Sequence, residues 1–184
     1  MTRKLKTIEI KRLTTEEFRQ AEKMPLVVVL DNVRSLHNVG SVFRSSDAFR
    51  VEKIMLSGIS ATPPQTEIHK TALGAEDSVD WQYFANTTDA VNNLKAKGYM
   101  VYAVEQAEGS VSLENITLHG QRPQGYAIVL GNEVKGVQQQ VVDLCHGCIE
   151  IPQFGTKHSL NVSVAAGIVI WEFAKNTIAE TGTK

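Results

Sequence analysis

Three stretches of this sequence put hydrogen-bonding and charged side chains where an apolar strand gives way to a helix. One is Asp31–Asp47, DNVRSLHNVGSVFRSSD, which holds Asn38 and Arg44. Arginine offers five fixed N–H donors suited to phosphate, and an asparagine near a helix start can cap it or bind a ligand. They are six residues apart, so they need not share a tight helical face. A cap plus a surface arginine is the ordinary reading. Another stretch is Ile128–Gly136, IVLGNEVKG, in which a buried strand runs into Gly131-Asn132-Glu133, with Gly136 behind. Glycines here let backbone N–H and C=O groups approach a ligand closely. The pattern is neither GxGxxG nor GxxxxGK[ST], and alone it is an ordinary turn. The last is Ile149–Ala166, IEIPQFGTKHSLNVSVAA. Ser159 or Asn161 can cap the apolar helix that follows. Yet Thr156, Lys157, His158, Ser159, Asn161 and Ser163 form a dense polar run, and a bound ligand would supply the partners such groups need.

Other candidate chemistry is weaker. Cys145-His146-Gly147-Cys148 is a CxxC without the second ligand pair of a structural zinc site. A redox CxxC opens a helix, whereas this one closes a helix and enters a strand. Two reduced, partly buried thiols are expected. His37, His69, His119 and His158 have no metal-binding spacing, so no metal is expected. The net charge of −1 excludes broad coating of nucleic acid, so an RNA surface must be a local patch. Arg3, Lys4, Lys6, Lys11 and Arg12, against the single acid Glu9, form one candidate. A solvated tail is the alternative.

These residues need a scaffold. At 184 residues and 42% hydrophobic, the chain suffices for one domain with a full core. No apolar run is long enough to span a bilayer, and MTRKLKTIEIKRL lacks the apolar region of a secretory signal. With two cysteines and no disulfide framework, a cytoplasmic protein without membrane contact is expected.

Continuously apolar runs predict buried parallel strands at Leu26–Asp31, Lys53–Gly58, Tyr99–Glu105, Tyr126–Gly131 and Cys148–Pro152, with a further strand at Val79–Phe84. Between them, helices are predicted from a capping box at Thr14 to about Lys23, and over Leu36–Phe49, Thr88–Lys97, Val137–Leu144 and Leu160–Ala179. The last is apolar around much of its circumference. It must be buried on more than one face, against the sheet and a second subunit. The alternation predicts a single α/β domain with a mostly parallel sheet flanked by helices.

The three stretches, in this order and at these distances, resemble the SpoU/TrmH branch of the SPOUT RNA methyltransferases. The matching residues are Asn38 through Arg44 to Asp47, then Leu130-Gly131-Asn132-Glu133 and Gly136, then Ile151-Pro152-Gln153 and Ser159-Leu160-Asn161-Val162-Ser163. The resemblance spans about Leu26 to Ala174. It implies a C-terminal deep trefoil knot, which general rules of chain topology would not suggest. It also implies residues 1–25 as a short basic extension, 26–178 as the methyltransferase domain and 179–184 as a tail.

The activity implied is S-adenosylmethionine-dependent methylation of a ribose 2′-hydroxyl of RNA, by a homodimer whose active site combines subunits. Leu130, Gly131, Asn132, Ile151, Ser159, Leu160 and Asn161 would hold the methyl donor. Arg44 would be catalytic, with Asn38, Glu133, Ser159 and Asn161 completing the site. Arginine is essentially never deprotonated, so Arg44 is expected to orient a phosphate and stabilise charge on the attacking oxygen. The segment Gly98–Gln106 resembles enzymes acting on a guanosine of the tRNA D-loop, and no extra substrate-binding domain precedes Leu26, which favours tRNA. The same reaction on ribosomal RNA is the alternative. A catalytically silent RNA-binding module is the alternative of another class, and intact Asn38, Arg44, Glu133, Ser159 and Asn161 argue against it. A nucleotide-dependent oxidoreductase is disfavoured by the missing GxGxxG.

Overall fold

The computed structural model describes residues 2–118 and 124–181, Thr7 and 176–181 by their backbone alone. His119 and the last three residues of the expected tail lie outside the described residues. Among the described residues, seven strands form one sheet in the order β3-β2-β1-β6-β4-β7-β5. They are β1 (Met24–Asp31), β2 (Val51–Ser57), β3 (Trp81–Phe84), β4 (Tyr99–Val104), β5 (Val111–Ser112), β6 (Gly125–Leu130) and β7 (Gly147–Glu150). Every pairing is parallel. β1 is central, between β2 and β6, which explains its unbroken LVVVL run: a strand covered on both faces has no polar side.

The helices are α1 (Thr15–Gln20), α2 (Leu36–Ala48), α3 (Thr66–Ala72), α4 (Ala75–Ser78), α5 (Thr87–Ala96), α6 (Gln139–Val142) and α7 (Val162–Thr181). One sheet face carries Val28, Leu30, Ile54, Leu56 and Ile128, packed against Val39 and Phe43 of α2, Ile68 of α3 and Val169, Ile170 and Phe173 of α7. The other carries Val27, Val29, Met55, Ala127 and Val129 under Ala90, Val91 and Leu94 of α5 and Val141 of α6. Alternate residues of one strand therefore feed two separate cores, as the two-residue period requires.

Predicted boundaries move by a few residues for identifiable reasons. α1 has the expected capping box, Thr14 with Glu17, but stops at Gln20. Ala21 is extended, and the Lys23 ammonium is donated to the carbonyls of Phe18, Arg19 and Ala21. α7 starts at Val162 because Asn161 is its cap. The α6 region is one turn of α-helix rather than the longer Val137–Leu144. The sequence reading passes over α3 and α4. They are short, and Leu73 (φ 54°) and Gly74 (φ 91°) break them apart, so no apolar period builds up. Ile68, Ala72 and Ala75 nonetheless reach the core.

β1 ends on a buried acid. Asp31 is fully buried. Its Oδ1 accepts from Thr87 Oγ1 (2.5 Å), Asn32 Nδ2 (2.7 Å) and Gln138 Nε2 (2.9 Å), and its Oδ2 from Gln138 N (3.0 Å). One carboxyl group thus ties the end of β1 to the start of α5 and to the segment after β6. Asp31→Ala would leave buried donors without acceptors. It is expected to lower the unfolding free energy by about 3 kcal/mol, measured by urea denaturation at pH 7.

Candidate functional site

The carboxyl ends of β4, β6 and β7 open into a cavity of about 310 Å³, at the edge of the range, roughly 300–1,000 Å³, of small-molecule sites. Ligands of open parallel sheets gather at such strand ends. Leu130, Gly131, Asn132, Glu133, Ile151, Ser159 and Leu160 all line it, so the structure brings together seven of the residues singled out in two separate sequence stretches. Val104, Val162 and Ala165 add apolar wall.

The loop after β6 is held tightly. Asn132 and Gly136 exchange backbone hydrogen bonds of 3.1 and 2.8 Å. Asn132 Oδ1 accepts from Val134 N (2.9 Å) and Lys135 N (3.2 Å), while its Nδ2 donates to Asn32 O (2.9 Å). Asn132 therefore shapes the loop and leaves Glu133 projecting at its tip. A Cβ on Gly131 would fall 2.1 Å from the Gly136 carbonyl carbon and the Val137 nitrogen, so only glycine lets the returning chain cross there. Gly136 has φ +66°, and a Cβ on it would lie 2.0 Å from Glu105 Oε2.

Glu105 is a site residue that sequence reasoning missed. It lines the cavity, accepts from Val137 N through Oε2 (2.9 Å) and from Gln106 N through Oε1 (2.9 Å). Gln106 Nε2 in turn donates to the His158 carbonyl (2.9 Å), tying the end of β4 to the loop before α7. The available signal was a carboxylate closing an apolar strand, the pattern Asp31 also shows.

Asn38 sits in the first turn of α2, whose start is capped by Ser35. Its Nδ2 donates to Glu133 Oε1 (2.8 Å), and its Oδ1 accepts from Asn161 Nδ2 (3.0 Å). Asn161 Oδ1 accepts from Ser163 N (2.9 Å), Ser163 Oγ (2.6 Å) and Val164 N (3.4 Å), and so caps α7. One chain of hydrogen bonds therefore joins all three stretches beside the cavity.

Arg44 is not in this cluster. It is exposed and lines a separate groove with Lys11, Arg12, Asp47 and Arg50. Six residues along a helix turn the side chain by about 240° from Asn38, so the two face different surfaces. Burial pushes the Asp47 carboxyl above its ordinary range, and the charge of Arg12 draws it partly back. Of the other basic N-terminal residues, Arg3 is bound to Glu9 at 2.9 and 3.0 Å, and Lys4 and Lys6 are exposed. Cys145 and Cys148 are free. Burial holds the Cys145 thiol up at about 12 and raises Cys148 as well, opposite to a reactive thiolate.

Residues 25–171 match the SpoU rRNA methylase family. The chain belongs to this family. It is 34% identical to a 23S rRNA (guanosine-2′-O-)-methyltransferase RlmB of Nitrosomonas europaea over 86% of this chain and 59% of that protein. Its fold is similar to the AdoMet-bound rRNA methyltransferase from Sinorhizobium meliloti, with a TM-score of 0.77 and 28% identity over 86% of this chain and 60% of that one. It is also similar to the A. aeolicus TrmH/SpoU tRNA modifying enzyme, with a TM-score of 0.78 and 26% identity over 91% and 84% of the two chains. The chain spans about three fifths of the length of the curated relatives it matches. Among the described residues no helix is long and apolar enough to cross a membrane.

Asn38→Ala would strip Glu133 and Asn161 of a partner each. A loss of about 1–2 kcal/mol is expected, measured by thermal denaturation. Asn38→Asp should cost more at pH 7, because it sets a second carboxylate against Glu133; equal losses for the two variants would contradict the hydrogen-bond directions given above.

Proposed function

We propose that this chain transfers a methyl group from S-adenosylmethionine to a ribose 2′-hydroxyl of RNA. The observation that carries the reading is the hydrogen-bonded chain Glu133–Asn38–Asn161 beside the strand-end cavity, in a member of the SpoU family. The cavity fits the donor chemically. Leu130, Ile151, Leu160 and Val162 offer apolar walls to a flat base, and the backbone from Leu130 to Gly136 and around Leu160 supplies hydrogen-bonding groups for its edge and tail. Ser159 and Glu133 complete the polar side, and Asn161, outside the lining, holds Asn38 in place. The donor, when bound, supplies a methyl group on a good leaving group, so neither metal nor covalent enzyme intermediate is required.

The acceptor oxygen must be brought in line with the methyl carbon. Asn38 and Glu133 orient the ribose and Arg44 holds a phosphate and stabilises charge on the attacking oxygen. Arg44 and the cavity of the same chain face different surfaces, which suits an active site shared between subunits of a homodimer. Val164, Ile168 and Trp171 support that assembly: spaced four and three residues apart on α7, they keep 52%, 38% and 47% of their surface open, a partly exposed apolar stripe. The knot is likewise part of this proposal. It rests on membership of the SpoU family.

Two acceptors remain in view. The segment Gly98–Gln106 favours a tRNA D-loop guanosine, while the Nitrosomonas europaea relative, named for 23S rRNA, favours ribosomal RNA. Incubation with labelled donor and separated tRNA and rRNA, followed by mapping of ribose methylation, decides between them; no transfer to either overturns the enzyme. Arg44→Ala is expected to abolish transfer while calorimetry still registers donor binding, since Arg44 lies outside the cavity. Sedimentation should give a dimer at micromolar concentration, and Trp171→Lys should yield an inactive monomer. A fully active monomer would refute the shared site.

A further inference from the structure

The groove that holds Arg44 is larger than the cavity, about 720 Å³. It is built by the N-terminal segment, the end of α2 and the turn between α3 and α4. Lys11, Arg12, Arg44 and Arg50 reach it, against the single acid Asp47. Several cations elsewhere are occupied. Arg3 is bound by Glu9, Lys70 by Glu67, Arg19 by the Asp77 carbonyl and Lys95 by the Leu144 carbonyl. The four groove cations have no side-chain hydrogen bond or ion pair among the described residues, and Arg12 has only the field of Asp47. A chain of net charge −1 thus gathers four unpaired cations around one depression.

The backbone at Arg50 is a second, independent observation. It follows α2 with φ +51°, the left-handed conformation that ends helices and that glycine adopts without a Cβ clash. Its N–H donates to the Asp47 carbonyl (3.1 Å) and its carbonyl accepts from Met24 N (2.8 Å). Glycine would make both bonds with less strain. The chain carries an arginine there whose side chain is exposed and unpaired, and such backbone outliers collect at functional positions.

We propose that this groove binds the phosphodiester backbone of RNA, with Arg50 as a positioning residue that sets the strand alongside Arg44. The proposal rests on the RNA-methyltransferase reading for its place in catalysis. Binding to phosphate needs only the cations: each phosphate neutralised releases condensed counterions, so affinity falls with salt in proportion to the contacts made.

Arg50→Gly is the direct test, because glycine suits the backbone and the variant should melt at the same temperature or higher. The probe is polyuridylate, followed by fluorescence anisotropy over a salt series. The expected result is weaker binding and a log–log salt slope shallower by about 0.7, the single-strand value for one lost phosphate contact. Lys70→Ala removes an exposed, paired cation and should leave the slope unchanged. With a methyl-accepting RNA, Arg50→Gly should raise KM and hold kcat. An unchanged slope in Arg50→Gly, an equal change in Lys70→Ala, or a fall in kcat at constant KM overturns the proposal. If wild-type protein shows the groove-dependent slope but methylates no RNA, the groove stands and the methyltransferase reading fails.

Discussion

The side-chain amide of Asn38 joins parts of the chain that lie 95 and 123 residues away from it. An amide suits this position because it donates from one end and accepts at the other. Glu133 offers only acceptor oxygens, and Asn161 has already turned its own oxygen to the N-terminus of α7, leaving its NH2 to give. A hydroxyl would reach neither partner at once, and a carboxylate would repel Glu133. The bond to the charged Glu133 is the stronger of the two in kind. Because Asn161 both caps α7 and holds Asn38, the start of the longest helix is set by the same contact that orients Glu133.

That contact is only as fixed as the elements behind it. α2 is held by Val39, Val42 and Phe43 in the core. The loop carrying Glu133 is pinned at three points: Asn132 on the Asn32 carbonyl, Gln138 on Asp31, and Val137 on Glu105. Two buried or half-buried carboxylates, at the ends of the two strands that flank β6, thus take up the backbone N–H groups that a loop away from water would otherwise leave unpaired. The glycines at 131 and 136 are then required by contact, since backbone and Glu105 occupy the space a side chain would fill.

α2 also separates two kinds of surface. Its first turn meets a cavity with apolar walls and a few polar groups, suited to a small ligand. Its last turn meets a groove with cationic walls, suited to a polyanion. Asn38 and Arg44 belong to one sequence motif but to different surfaces, and the helical repeat between them is the cause. A reaction that joins a small donor to a large charged acceptor needs both, and an assembly of two chains allows the two surfaces to meet.

The alternation of the longer strands and helices, the parallel central strands and the three strand-end loops were legible in the sequence. Each depends on local pattern: unbroken apolar runs for strands covered on both faces, a capping box at Thr14, glycines where the backbone must turn. α3 and α4 were not legible, since their few core residues make no period of their own and are helical only because α2 covers them. Nor were Glu105, whose two backbone partners come from separate loops, and Arg50, whose left-handed backbone has no residue-type signal. By itself, the sequence determined which residues would stand at the ends of which strands. Tertiary structure alone decided which of them meet, because Asn38, Glu133 and Asn161 are distant along the chain and come together only when α2, β6 and α7 pack, whereas Arg44, six residues from Asn38, is turned away to share a groove with Arg12 and Arg50.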